Sequence, residues 1–199
     1  MKIVCIGDSL TEGDYGIAGK RGIANVKSEN YPYFLSKIMN AETVNYGKCG
    51  YRSSTFLKFY ESGAVSLDGA DVIVVMLGTN GGQSANGESH ENDCYKKLID
   101  RLDKDGNGAR IVLCTPPHAS SNPAYSNCGY MPQITEAVGF VRRFAAERGL
   151  PVIDLATCPY FTEETESVMQ PADGLHFGRE GYETLAKVIA EELTKILNA

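Results

Sequence analysis

The 199 residues are 43% hydrophobic with a formal net charge of -6, which supplies one substantial core and leaves too little chain for more than two domains; we read a single domain, residues 1–199. Basic residues come at most two in a row, as in Lys96-Lys97 and Arg142-Arg143, so there is no electrostatic footprint for DNA or RNA. No apolar stretch spans a bilayer, and Gly7-Asp8 interrupts the N-terminus before a signal-peptide h-region forms, so a cytoplasmic protein is expected, with a mature secreted form as the alternative.

In chain order, residues 3–6 form a short apolar run that reads as the first strand, followed at once by Gly7-Asp8-Ser9-Leu10-Thr11. Residues 14–30 lack a regular pattern and form a long loop. Residues 31–39 have helical spacing, 43–45 read as a second strand, and Asn45-Tyr46-Gly47-Lys48-Cys49-Gly50 follows it. A helix is expected at 53–60. Residues 72–77 are apolar throughout and read as a central strand buried on both faces, with Gly78-Thr79-Asn80 next.

The second half continues the alternation: helix 92–102, strand 111–114, an irregular segment 115–131 rich in Pro, Ser and Asn, helix 134–148, strand 152–153, and a closing helix 180–197. Strands alternating with helices give a parallel sheet covered on both faces, an α/β fold. In such a sheet ligands sit beyond the carboxyl ends of the strands. Three strand ends and the loop Asp173-Gly174-Leu175-His176, just before the last helix, therefore converge on one edge. The six cysteines show no C-x-x-C pair, and Cys5 and Cys114, lying in apolar runs, read as buried thiols.

That edge offers a hydroxyl, an imidazole, a carboxylate and several hydrogen-bond donors. A serine hydroxyl becomes a useful nucleophile when an imidazole takes its proton, and His176 can do so for Ser9. Asp173, three residues earlier across a bend at Gly174, can accept from the second ring nitrogen. The backbone N–H groups of Ser9 and Gly50 and the Asn80 amide are candidate donors to an oxyanion. Leu10, Tyr51 and His118 are candidate substrate contacts. Of the three histidines, His90 sits at a helix start in a solvated setting, and His118 has no carboxylate neighbour in sequence. Asn45 and Gly47 read as loop-shaping residues, and Asp8 as an acceptor for backbone N–H groups.

These blocks resemble those of the GDSL, or SGNH, hydrolases: Gly7-Asp8-Ser9-Leu10 the first, Gly50 the second, Gly78-x-Asn80 the third and Asp173-x-x-His176 the fifth. The resemblance covers nearly the whole chain in order. It implies a flavodoxin-like three-layer fold with a five-stranded parallel sheet, no metal or other cofactor, and a small ester or thioester substrate cleaved through an acyl-enzyme. One departure is that Gly81 stands where the family commonly has Asp after Asn80, which bears on the conformation of that loop. The expected substrate is a short-chain ester, with an O-acetyl group on a carbohydrate suggested by Tyr125, Asn127 and Tyr130 and by the lack of long apolar lid segments. Lysophospholipid or thioester hydrolysis, an idle carbohydrate-binding module, and a flavin or nucleotide binder are the alternatives; no Gly-x-Gly-x-x-Gly or Walker lysine supports the last.

Overall fold

Five strands, β1 (Lys2–Gly7), β2 (Glu42–Asn45), β3 (Val72–Met76), β4 (Arg110–Cys114) and β5 (Val152–Ile153), pair entirely in parallel in the order β2-β1-β3-β4-β5. This computed structural model describes residues 1–16 and 29–199, so most of the loop expected at 14–30 lies outside the described residues. The strand order is the flavodoxin-like one, and its direction reverses between β1 and β3. A crevice therefore opens beyond the carboxyl ends of those two strands.

Period-2 alternation divides the strand side chains between two cores. Ile3, Cys5, Val72, Val74, Met76, Val112 and Cys114 face α2 (Tyr31–Ile38) and α7 (Arg179–Asn198). Val4, Ile6, Ile73, Val75, Ile111 and Leu113 face α3 (Ser53–Glu61), α4 (His90–Asp105) and α5 (Met131–Arg148). All five residues of β3 are buried, as a central strand requires. The thiols of Cys5 and Cys114 are fully buried, and burial pushes that of Cys5 up to about 12.

Helix ends differ from the sequence reading where capping decides them. α4 begins at His90 because the Ser89 hydroxyl accepts from Asn92 N–H at 3.0 Å. α5 begins at Met131, three residues early, since Pro132 is tolerated in a first turn whose N–H groups have no intrahelical acceptor. Two four-residue helices lack enough length to show periodicity in sequence: α1 (Ser9–Glu12) and α6 (Glu166–Met169). Residues 115–130 hold turns and no strand or helix.

The closing helix fixes the loop ahead of it. Tyr182, Leu185, Ala186, Ile189 and Leu193 form its buried stripe, each large apolar side chain contributing about 1.5–3 kcal/mol by burial. Phe177, wholly buried, packs between Phe161 and Tyr182 at ring-centroid distances of 4.9 and 5.6 Å. His176, the preceding residue, is thus presented from a rigid anchor.

Candidate active site

Ser9 opens α1 directly after β1. Asp8 is the N-cap, its Oδ1 accepting from Leu10 N–H at 3.0 Å, which is the loop-organising role expected of it. The first N–H of the helix, that of Ser9, has no acceptor within the helix. Asp8 is fully buried. Its Oδ2 and the Thr79 hydroxyl lack partners of regular geometry, though Thr79 lies close enough to favour the ionised carboxyl. Burial is the largest influence and pushes Asp8 up to about 6, against the Leu10 amide, Thr79 and the nearby His176 charge.

The loop after β2 is stitched to α1. Asn45 Nδ2 donates to the Thr11 carbonyl at 2.8 Å, Asn45 Oδ1 accepts from Gly47 N–H at 2.8 Å, and Cys49 N–H donates to Glu12 Oε2 at 2.6 Å. A Cβ on Gly47 would stand 2.1 Å from the Glu12 backbone nitrogen, so close approach, more than turn geometry, requires glycine there. Gly50 has φ +75° and open space where a Cβ would point; it faces the cleft through a left-handed backbone that a glycine adopts without strain.

Asn80 follows β3 and donates through Nδ2 to the Tyr51 carbonyl at 3.0 Å, leaving that nitrogen a second hydrogen. Gly81, at φ +72°, closes a turn through its N–H to the Gly78 carbonyl at 2.9 Å. Gln133 from α5 occupies the space beside it: a Cβ on residue 81 would meet the Gln133 side chain at 2.9 Å. Gln133 Nε2 in turn donates to the Thr79 carbonyl at 2.8 Å. The loop that carries Gly81 is thus braced from α5.

The loop before α7 completes the group. His176 Nε2 lies 2.9 Å from Ser9 Oγ, and His176 Nδ1 lies 2.7 Å from Asp173 Oδ2. Gly174, at φ +77°, makes the bend between them. Asp173 Oδ1 accepts from the N–H groups of Leu175 at 3.0 Å and His176 at 2.8 Å. Burial opposes ionisation of Asp173 most strongly, but the hydrogen bonds and charge of His176 with the two amides outweigh it and hold the carboxyl below its ordinary value. For His176, burial again is the largest influence and disfavours the cation, yet the Asp173 hydrogen bond and charge, with Asp14 and Asp8, raise it above the usual histidine value. Such a chain can take a proton from a hydroxyl and hold the resulting imidazolium.

One partner in this chain carries no signal in the sequence. Asn127 Nδ2 donates to Asp173 Oδ2 at 2.8 Å, and Asn127 N–H donates to the Asp173 carbonyl at 3.1 Å. The irregular segment after β4 is therefore docked onto the Asp173 loop. Asn127 also joins Gly50, Arg52, Asn80, Ser126, Gly129, Tyr130 and Gln133 in lining a cleft of about 370 Å³.

The three expected substrate contacts are placed differently. Leu10 is wholly buried in the core against α2 and α7, with no surface for a substrate. The Tyr51 ring packs edge-on against Phe56 and Phe59, and its carbonyl holds Asn80. His118 lines a separate hollow with Cys158, Phe161 and Glu164. It is not among the residues that line the cleft by Gly50 and Asn80. His90 is exposed at the start of α4.

A family profile described as GDSL-like Lipase/Acylhydrolase matches residues 5–184. Among solved structures, the lipase/acylhydrolase from Enterococcus faecalis is 26% identical, with a TM-score of 0.70 over 96% of this chain and 94% of that one. A carbohydrate acetylesterase family member from Sinorhizobium meliloti is 20% identical, with a TM-score of 0.74 over 100% and 99%. The aryl esterase of M. smegmatis is 18% identical, with a TM-score of 0.71 over 98% of both chains. No curated protein shows significant similarity to the chain.

Proposed function

This chain belongs to the GDSL-like lipase/acylhydrolase family, a family of carboxylic ester hydrolases, and we propose that it cleaves short-chain esters of polar alcohols, an O-acetylated carbohydrate above all, through an acyl-Ser9 intermediate. The observation that carries the reading is the continuous hydrogen-bond chain Ser9 to His176 to Asp173, at 2.9 and 2.7 Å.

Neutral His176 holds its proton on Nδ1, donated to Asp173, and accepts the Ser9 hydroxyl at Nε2. As Ser9 Oγ attacks the ester carbonyl, its proton passes to Nε2, and Asp173 stabilises the imidazolium. The N–H groups of Ser9 and Gly50 and the free hydrogen of Asn80 Nδ2 receive the oxyanion. His176 returns the proton to the departing alkoxide and the alcohol leaves. A water then attacks the acyl-enzyme, again with His176 as base, releasing the carboxylic acid and restoring Ser9.

The lining of the cleft supports a short acyl group and a polar leaving group: among the described residues it comprises, besides two glycines, Arg52, Asn80, Ser126, Asn127, Tyr130 and Gln133, with no aliphatic side chain. A long alkyl chain would desolvate those polar groups without replacing their hydrogen bonds. The kinship in fold with a carbohydrate acetylesterase is in keeping with this reading. Among the described residues no helix is long and apolar enough to cross a membrane. A series of p-nitrophenyl esters tests the proposal: kcat/KM should be highest for acetate or propionate and fall with chain length. Highest activity on decanoate or longer would overturn it.

A further inference from the structure

Arg52 is the N-cap of α3 and stands in the cleft shared by Gly50 and Asn80. Five other arginines, Arg101, Arg142, Arg143, Arg148 and Arg179, are each paired with a carboxylate. Arg52, like Arg110 at the start of β4, has no such pair among the described residues, which include every Asp and Glu of the chain, and of the two only Arg52 lines the cleft. Its backbone is nevertheless fixed, the N–H donating to Thr55 Oγ1 at 2.7 Å and the carbonyl accepting from that hydroxyl at 3.0 Å.

Among the described residues, the other side chains on the wall, Asn80, Ser126, Asn127, Tyr130 and Gln133, are neutral hydrogen-bonding groups, and no carboxylate lines the cleft. On a chain with a formal net charge of -6, an unpaired guanidinium beside the oxyanion donors is a local reversal of sign. A guanidinium presents a planar fork of donors that matches a carboxylate or phosphate in two parallel bonds.

Building on the esterase reading above, we infer that the preferred substrate is an O-acylated saccharide that also carries an anionic group, a carboxylate or a phosphate, and that Arg52 is the specificity-determining residue that pairs with it. The neutral side chains take the saccharide hydroxyls. The pairing leaves the ester chemistry unchanged and raises the occupancy of substrates that place an anion within reach of Arg52. Because Arg52 is solvent-exposed, the discrimination is moderate, roughly three- to tenfold in kcat/KM, and is weakened by salt.

The test compares O-acetylated galacturonate with its neutral methyl ester, and O-acetylated glucose 6-phosphate with O-acetylated glucose, in wild type, Arg52→Gln and Arg52→Lys, with p-nitrophenyl acetate in parallel. In wild type the charged member of one or both pairs should lead by three- to tenfold, and which pair shows it identifies carboxylate or phosphate as the anion. The charged-to-neutral ratio should fall to about one in Arg52→Gln and be partly kept in Arg52→Lys. A wild-type ratio of one for both pairs, or a ratio unchanged in Arg52→Gln, overturns the inference while leaving the esterase reading intact. Failure of wild type to turn over any ester, p-nitrophenyl acetate included, overturns both.

Discussion

Asn127→Ala removes one of four hydrogen bonds to the Asp173 carboxylate, the one that shares Oδ2 with His176 Nδ1. A hydrogen bond to a charged group is worth about 1.5–3 kcal/mol. Asn127 is only half-buried and lines the cleft, so water can replace part of that bond, and the expected loss of stability is about 1–2 kcal/mol. The carboxylate left behind has one donor fewer, becomes the better acceptor for His176, and raises His176 further above its ordinary value. Two consequences should appear together. Urea unfolding at neutral pH should show the stability loss. The acidic limb of the kcat/KM profile on p-nitrophenyl acetate should move to higher pH, with kcat on the plateau down by about tenfold from looser orientation of the imidazole, equivalent to about 1.4 kcal/mol of barrier. Stability equal to wild type and a superimposable pH profile would show that the Asn127 bond neither stabilises the Asp173 carboxylate nor tunes His176.

Asp173→Asn removes the charge that holds His176 up, so the acidic limb should shift to lower pH. kcat should drop by roughly four orders of magnitude, as when a serine hydrolase loses the carboxylate that fixes its histidine tautomer; a profile of unchanged position would contradict the assignment. Asn80→Ala should lower kcat by roughly a hundredfold or more with a smaller change in KM, measured by steady-state kinetics, and a change confined to KM would remove Asn80 from the oxyanion site. Asp8→Asn tests the buried carboxyl by its pH dependence. Folded Asp8, raised to about 6 from 3.8, binds its proton more tightly than the unfolded chain does, so wild type loses stability as pH rises through that window and the neutral variant does not. Relative to wild type, Asp8→Asn should gain about 3 kcal/mol between acid and neutral pH, since about two pKa units are involved; parallel stability curves would count against the burial argument.

Much of the fold is legible in the residues because hydrophobic period carries it. The unbroken apolar run at 72–76 marks the central strand, and alternating apolar runs and helical stripes give a parallel sheet with two helical layers. Ser9, Gly50, Asn80, Asp173 and His176 are legible for a related reason: each follows a strand or precedes the last helix, and the topology brings all of them to one edge. The bond from Asn127 to Asp173 is not legible, because the two residues are 46 apart and the contact depends on how an aperiodic loop folds. Arg52 escapes notice because its place in the cleft beside Gly50 and Asn80 exists only in three dimensions. Leu10, the residue after Ser9 on a helix, turns about 100° away from it, here into the core. Gly81 shows the converse, a local departure in a loop whose compensation, Gln133, lies on α5.

Activation of Ser9 as a nucleophile is tested most directly by intact mass after incubation with a fluorophosphonate probe. Wild type should gain a single adduct, assigned to Ser9 by peptide mapping, and folded Ser9→Ala should gain none. Absence of an adduct on folded wild type, or equal labelling of Ser9→Ala, would contradict it.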